Sequence, residues 1–241
     1  MNHLYFTGVP LESVEKDFQK SLDAMTLLRQ DHARNYIKAF ILIVKKLRGC
    51  EMNNEIDDMK KAAIDAGDSS TLALIYYGDM ETSVILGDWE NAIQILEEAG
   101  DIKTMSQGLF GLTRIFFIEA LIMIHAARDA SSVWEKREWK EKALESIQQI
   151  RRWVQNGAVN IIHNLRLLAA ELASLEGEHD MAEKNYEAAI KVASKNGFLQ
   201  DKALSHELTS AYFLKRGDEF WANYHREKSR ESYLEWGLIR E

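Results

Sequence analysis

The sequence predicts an all-α fold of stacked antiparallel helix pairs, and three observations predict it. Apolar residues recur at intervals of three and four from Leu11 to the end of the chain, the period of one helix face. There is one Pro in 241 residues, where average usage would give about 12, and Pro costs about 3 kcal/mol inside a helix. Glycine and alanine also return in a fixed register, set out below. No run alternates Val, Ile and Thr between tight turns, so nothing argues for a sheet.

Taken in order, the first helix is expected over 11–28, where Val14, Phe18, Leu22, Met25 and Leu28 share a face. The second, over 32–47, carries Ile37, Phe40, Ile41, Val44 and Leu47 and stops at Gly49, the residue most tolerant of a left-handed helix end. Asn53 or Asn54 caps a short helix ending near Gly67, and Asp68, Ser69 or Ser70 caps the next, which stops at Gly87. Asp88 opens a helix with Ala92, Ile93, Ile95, Leu96 and Ala99 inside and Gly100 at its end. One long helix is expected over 104–127, followed by a polar break at residues 129–132 that reads as a mobile loop. A helix over 133–153 runs to Asn156-Gly157, and four more follow over 160–176, 179–195, 199–216 and 218–236.

Gly177 and Gly217 stand 40 residues apart, each between two expected helices. Gly177, Ala182, Tyr186 and Ala189 fall at offsets 0, 5, 9 and 12, and Gly87, Ala92, Leu96 and Ala99 repeat the offsets. A third unit keeps Gly217 and Ala222 but has Arg226 and Ser229 at the last two. A small residue at offset 5 lets two helices approach, a large one at 9 fills the groove, and a small one at 12 seats the next pair. This is the pattern of the second half of a tetratricopeptide repeat, with a spacing longer than usual and no closing Pro. The expected architecture is an α-α superhelix. It would be one solenoid over 1–241, with helix pairs over 1–100, long helices over 101–156 with a loop near 128–133, and the two clearest repeats over 157–241.

Composition narrows the function. Thirty Lys and Arg against 38 Asp and Glu give a charge of −8, the wrong sign for binding nucleic acid through its phosphates. The greasiest run, 109–127, is interrupted by Thr113, Arg114, Glu119 and His125 and reads as a buried helix, not a membrane span. A single cysteine, Cys50, excludes an intrachain disulfide framework, and the first residues lack a signal-peptide pattern. A cytoplasmic chain is expected.

No phosphate-binding loop of either glycine-rich type is present, and Gly108-Leu109-Phe110-Gly111 reads as a helix-entry turn. The histidines His163, His179, His206 and His225 lie in the last four helices, with no pair at the spacing of metal ligands on one face. His125 reads as a core or edge imidazole, Cys50 as structural, and Ser69, Ser70, Ser131 and Ser132 as caps. No catalytic residue, metal or cofactor is expected.

From Trp153 onward the chain carries Asn156-Gly157-Ala158-Val159-Asn160, Tyr186-Glu187-Ala188-Ala189-Ile190, Asn196-Gly197-Phe198, Tyr212-Phe213-Leu214 and Tyr233-Leu234-Glu235-Trp236-Gly237. In this linear order it resembles the helical repeat region of large multidomain signalling ATPases. There a kinase-like domain and an AAA-type ATPase precede the repeats, and a histidine kinase or cyclase follows. The resemblance implies a piece of such a protein whose catalytic parts lie outside this chain.

The expected function is a non-catalytic scaffold that contacts a protein partner or another domain, with no nucleic acid or membrane. The alternative is a repeat domain that senses a small effector or a peptide. Repeat register places Asn164, Arg166, Glu171 and Glu207 on the concave face. Trp134, Trp139, Arg151 and Arg152 are a second candidate cluster, since Trp and Arg favour interfaces; the other reading puts the tryptophans in the seam between repeats. In the last helix Tyr224 and Tyr233 are expected inward, and Trp236 is a candidate for a docked neighbour.

Overall fold

A computed structural model describes residues 3–52, 54–106 and 111–239. It is all-helical, with thirteen α-helices and no strand among the described residues. The helices pack mostly against their sequence neighbours, α2 on α3, α5 on α6, α10 on α11 and α12 on α13 in the bounds given below. The chain divides into two compact units, Met1–Leu112 with Gly237–Glu241, and Thr113–Trp236.

The first unit holds α1 (His3–Phe6), α2 (Leu11–Leu27), α3 (Asp31–Leu47), α4 (Glu55–Asp65), α5 (Ser69–Leu86), α6 (Trp89–Ala99) and α7 (Ile102–Met105). Leu11, Val14 and Phe18 form the buried stripe of α2, and Phe18 stacks on Phe40 of α3 at 5.1 Å between ring centres. The centre of the unit is α5, which is buried on nearly every side and packs against α3, α4, α6 and α7. Gly78 permits this: a Cβ there would lie 2.3 Å from Ile43 Cδ1, so only glycine lets α3 approach so closely. Inside, Glu81 accepts a hydrogen bond from Tyr5 Oη at 2.6 Å and another from Tyr77. The side chain of Asp68 caps α5 through the Thr71 amide. Asp88 does the same for α6 through the Asn91 amide.

Residues 237–239 belong to this unit. The amide of Ile239 donates to the carbonyl of Leu47 at 3.1 Å, and Leu238 is buried.

The second unit holds α8 (Leu112–Asp129, whose first residue lies in the other unit), α9 (Val133–Gln155), α10 (Ile162–Glu176), α11 (His179–Asn196), α12 (Leu199–Lys215) and α13 (Glu219–Trp236). A single 3-10 turn, Val159–Ile161, precedes α10. The hairpins α10/α11 and α12/α13 turn at Gly177 and Gly217, with φ of +76° and +77°, a region that costs other residues about 1–2 kcal/mol. Ala182, Ala189, Ala222 and Ser229 are all buried in these hairpins, as Ala92 and Ala99 are in α6. Tyr186 fills offset 9 in one unit, whereas Arg226 in the other is exposed.

Two expectations are corrected, the single helix over 104–127 and the inward-facing Tyr224. The single helix over 104–127 is two: Asp101 caps α7, which ends at Met105, and α8 starts at Leu112. Gly111 sits between them, with Phe6 Cζ only 3.2 Å from where its Cβ would be. Gly108, Leu109 and Phe110 lie outside the described residues, as does Asn53. The polar break after α8 is a three-residue connection, residues 130–132. Ser132 Oγ accepts from the Glu135 amide and the Glu135 carboxylate accepts from the amide and hydroxyl of Ser131. Tyr224 faces outward instead of inward.

Candidate functional site

Inside the second unit lie two buried ionic clusters, both starting on α8. An arginine in an otherwise apolar stripe needs a partner, because an uncompensated buried charge is costly. Arg114, near the start of α8, donates to the Asp201 carboxylate, which also receives the His163 ring Nε2 at 2.8 Å. Asp201 lies in the first turn of α12 and His163 in the first turn of α10. The N-terminal ends of three helices therefore meet at one carboxylate. Burial alone would raise the Asp201 pKa, but the Arg114 guanidinium and the His163 imidazole outweigh it and hold the group at about 2. The His163 ring also stacks on Phe198 at 4.5 Å.

At the other end of α8, Arg128 donates to Glu171 of α10 at 2.9 Å, and Tyr186 of α11 donates its hydroxyl to the same carboxylate. Burial, reinforced by that carboxylate, pushes the Tyr186 phenol well above its ordinary range.

The second unit also carries an open groove of about 930 Å3 bordered by α11, α12 and α13. Phe213, Trp221, Tyr224 and His225 form a ring cluster along it, with ring centres of successive partners 5.2 to 6.3 Å apart. Four carboxylates border it, from Glu183, Glu187, Asp218 and Glu219, against one guanidinium, that of Arg216, which is already bonded to Glu183. On its wall His206 Nδ1 and His225 Nδ1 lie 2.9 Å apart, so one ring donates and the other accepts. Burial, then the neighbouring imidazole, lowers the His206 pKa to about 3, and burial lowers that of His225. Both rings are neutral at pH 7.

Each expected site residue has a definite place. Asn164 and Glu171 are 5% and 4% exposed, so no partner reaches them from outside, and Glu171 serves the Arg128 cluster instead. Glu207 is partly covered and accepts from Tyr233 Oη at 2.9 Å. Arg166 is exposed and donates to Asn185. Trp134 is 78% exposed, so it plugs no seam. Trp139 is half-buried, with the Lys142 ammonium 4.8 Å from its ring centre. Arg151 and Arg152 are exposed, and Arg152 donates to Gln149. Trp236 is 1% exposed, part of the interior and not a surface anchor. These nine residues form no single patch with the groove, whose lining is a different set.

The histidines expected in the last four helices meet only in part: His206 with His225, His163 with Asp201, and His179 with Tyr212 at 3.2 Å. Among the described residues no three His, Cys, Asp or Glu side chains are grouped to hold a metal ion. Burial, then Arg128, lowers the His125 pKa to about 4. No helix among the described residues is long and apolar enough to cross a membrane.

The groove residues were visible in part. Trp221, Tyr224 and His225 fall at i, i+3 and i+4 on one face of α13, and Glu183 and Glu187 at i and i+4 on α11. That the two faces meet required the hairpin geometry. Comparison of the chain with protein-family models, with curated proteins and with solved structures finds no match.

Proposed function

We propose that the chain is a non-catalytic helical-repeat scaffold, tetratricopeptide-like in its superhelical stacking, that mediates contacts between proteins or between domains of a signalling protein. The observation that carries this reading is the burial of the small residues in register. Ala92, Ala182 and Ala222, each five residues after a turn glycine, are fully buried. Identical seams of that kind let hairpins stack into an extended surface suited to binding. The charged groups inside the second unit are bonded to one another, as Arg114 is to Asp201 and Arg128 to Glu171, which suits a structural role. The link to signalling ATPases rests on the sequence resemblance that ends in Tyr233-Leu234-Glu235-Trp236-Gly237. The alternative, a repeat domain that senses a small effector or peptide, draws on the volume of the groove beside Trp221.

The test is site-specific photo-crosslinking in the native host, with the photoreactive residue placed in turn at the exposed positions 134, 166 and 220. A protein adduct at one or more positions is expected. Absence of any adduct at all three, or ATP turnover by the purified chain alone, overturns the reading.

A further inference from the structure

The groove between α11 and α13 combines two features that recognise the same ligand chemistry. The first is aromatic. Trp221 and Tyr224 are 44% and 46% exposed, edge to face at 5.5 Å, with Phe213 and His225 beside them. Large aromatic rings left open to water on a folded surface mark a place where something docks. The negative faces of Trp and Tyr attract a guanidinium or ammonium.

The second is charge. Of the four bordering carboxylates, Glu183 is paired with Arg216, and Asp218 caps α13 through the Trp221 amide. Glu187 and Glu219 are exposed and, among the described residues, have no hydrogen-bond or ion-pair partner. The two histidines on the wall are neutral at pH 7 and do not offset these charges. Lys202, Lys228 and Glu231 act on His206 from α12 and α13, and the lysines do not line the groove. The lining is thus acidic and aromatic together. An acidic or purely apolar segment would leave Glu187 and Glu219 facing like charge or stripped of water.

We propose that this groove binds an extended, arginine- or lysine-bearing segment of a partner protein, one basic side chain lying over Trp221 and Tyr224 within reach of Glu187 and Glu219. This rests on reading the chain as a protein-docking module and names the chemistry of the docked segment. A groove of about 930 Å3 lined from three helices has room for more than one side chain of a peptide.

The test titrates the full isotope-labelled chain with the peptide acetyl-(Arg-Ala)4-amide and follows amide and indole NMR signals, the Trp221 Nε1–H being identified by Trp221→Phe. The expected result is a saturable shift confined to Trp221 and residues 183–190 and 206–225, absent with acetyl-(Glu-Ala)4-amide. Trp221→Ala and Glu187→Lys, both at exposed positions, each weaken binding at least tenfold, while Glu141→Lys on α9 does not. Shifts spread over the whole acidic surface, or an equal loss with Glu141→Lys, overturn the proposal by reducing it to general charge attraction. Free L-arginine that saturates the same signals at the same concentration overturns it in favour of a small guanidinium ligand. If the peptide leaves Trp221 unmoved while crosslinks form at 134 or 166, the groove inference fails and the scaffold reading stands. If the peptide binds as expected but no crosslink forms anywhere, the scaffold reading fails and the groove remains a basic-peptide site.

Discussion

Arg114 and Asp201 form a buried ion pair across 87 residues of sequence, joining the first turn of α8 to the first turn of α12. Replacing Asp201 with Ala leaves the guanidinium buried without its carboxylate, at a cost of about 3–5 kcal/mol. Urea denaturation followed by circular dichroism measures it. Asp201→Glu, which keeps the charge, is expected to lose less. A midpoint unchanged in Asp201→Ala would show that Arg114 is compensated from elsewhere.

The same pair makes a prediction about acid. Asp201 is held at about 2 in the folded chain, below the ordinary carboxylate value of about 3.9. A depressed carboxylate stabilises the fold above its unfolded value and ceases to do so as pH falls through its folded value. Loss of stability from this group therefore falls between about pH 4 and pH 2, and Asp201→Asn removes that part of the pH dependence.

Histidines act earlier in the same titration. His206 at about 3 and His125 at about 4 lie below the unfolded value of about 6.5, so the unfolded chain takes up protons the folded chain refuses. Melting temperature is expected to fall steadily from pH 7 to pH 4, before most carboxylates titrate. His206→Gln flattens that slope. A melting temperature constant over this interval contradicts the burial of both rings.

Ala182 is fully buried at the α10/α11 seam, where added bulk cannot be absorbed. Ala182→Trp is expected to cost about 1–3 kcal/mol or more through overpacking. Lys184→Trp, two residues on and exposed, is the matched control and is expected to change stability by less than about 0.5 kcal/mol. Equal melting curves for the two variants would remove the packing argument for the repeat.

Leu238 is buried in the first unit, so Leu238→Ala should destabilise that unit by about 2–5 kcal/mol. Hydrogen exchange reads the effect locally: the Ile239 amide, bonded to Leu47, loses its protection first.

Helices were legible in the sequence wherever their ends are chemically local. Asp68, Asp88 and Ser132 cap the helices they precede, and Gly87, Gly177 and Gly217 adopt the left-handed conformation that ends one, each a matter of a few adjacent residues. The break between α7 and α8 was legible only in part: Gly108-Leu109-Phe110-Gly111 reads as a helix-entry turn, yet the apolar period continues through it, and the close approach of Phe6 to Gly111 required the folded unit. The site was less legible still. Glu171 and Asn164 occupy plausible surface positions by register, yet Arg128 reaches Glu171 from 43 residues away, and no periodicity announces such a partner. Trp134 is exposed and Trp236 interior, against the seam reading of the first and the docking reading of the second, since exposure depends on which helix face a neighbour covers.

Residues 237–239 return to the unit whose other members end at Leu112. A ribosome makes the chain from the other end, so this unit waits for its last piece until residues 113–236 have been synthesised. At roughly 5–20 residues per second the delay is on the order of ten seconds. Throughout it, the seat of Leu238 and the free carbonyl of Leu47 face the nascent-chain environment. Both units are closed by the last turn of α13 and the residues just after it, but the earlier one waits longest in its incomplete form, and chaperone capture during translation should concentrate there.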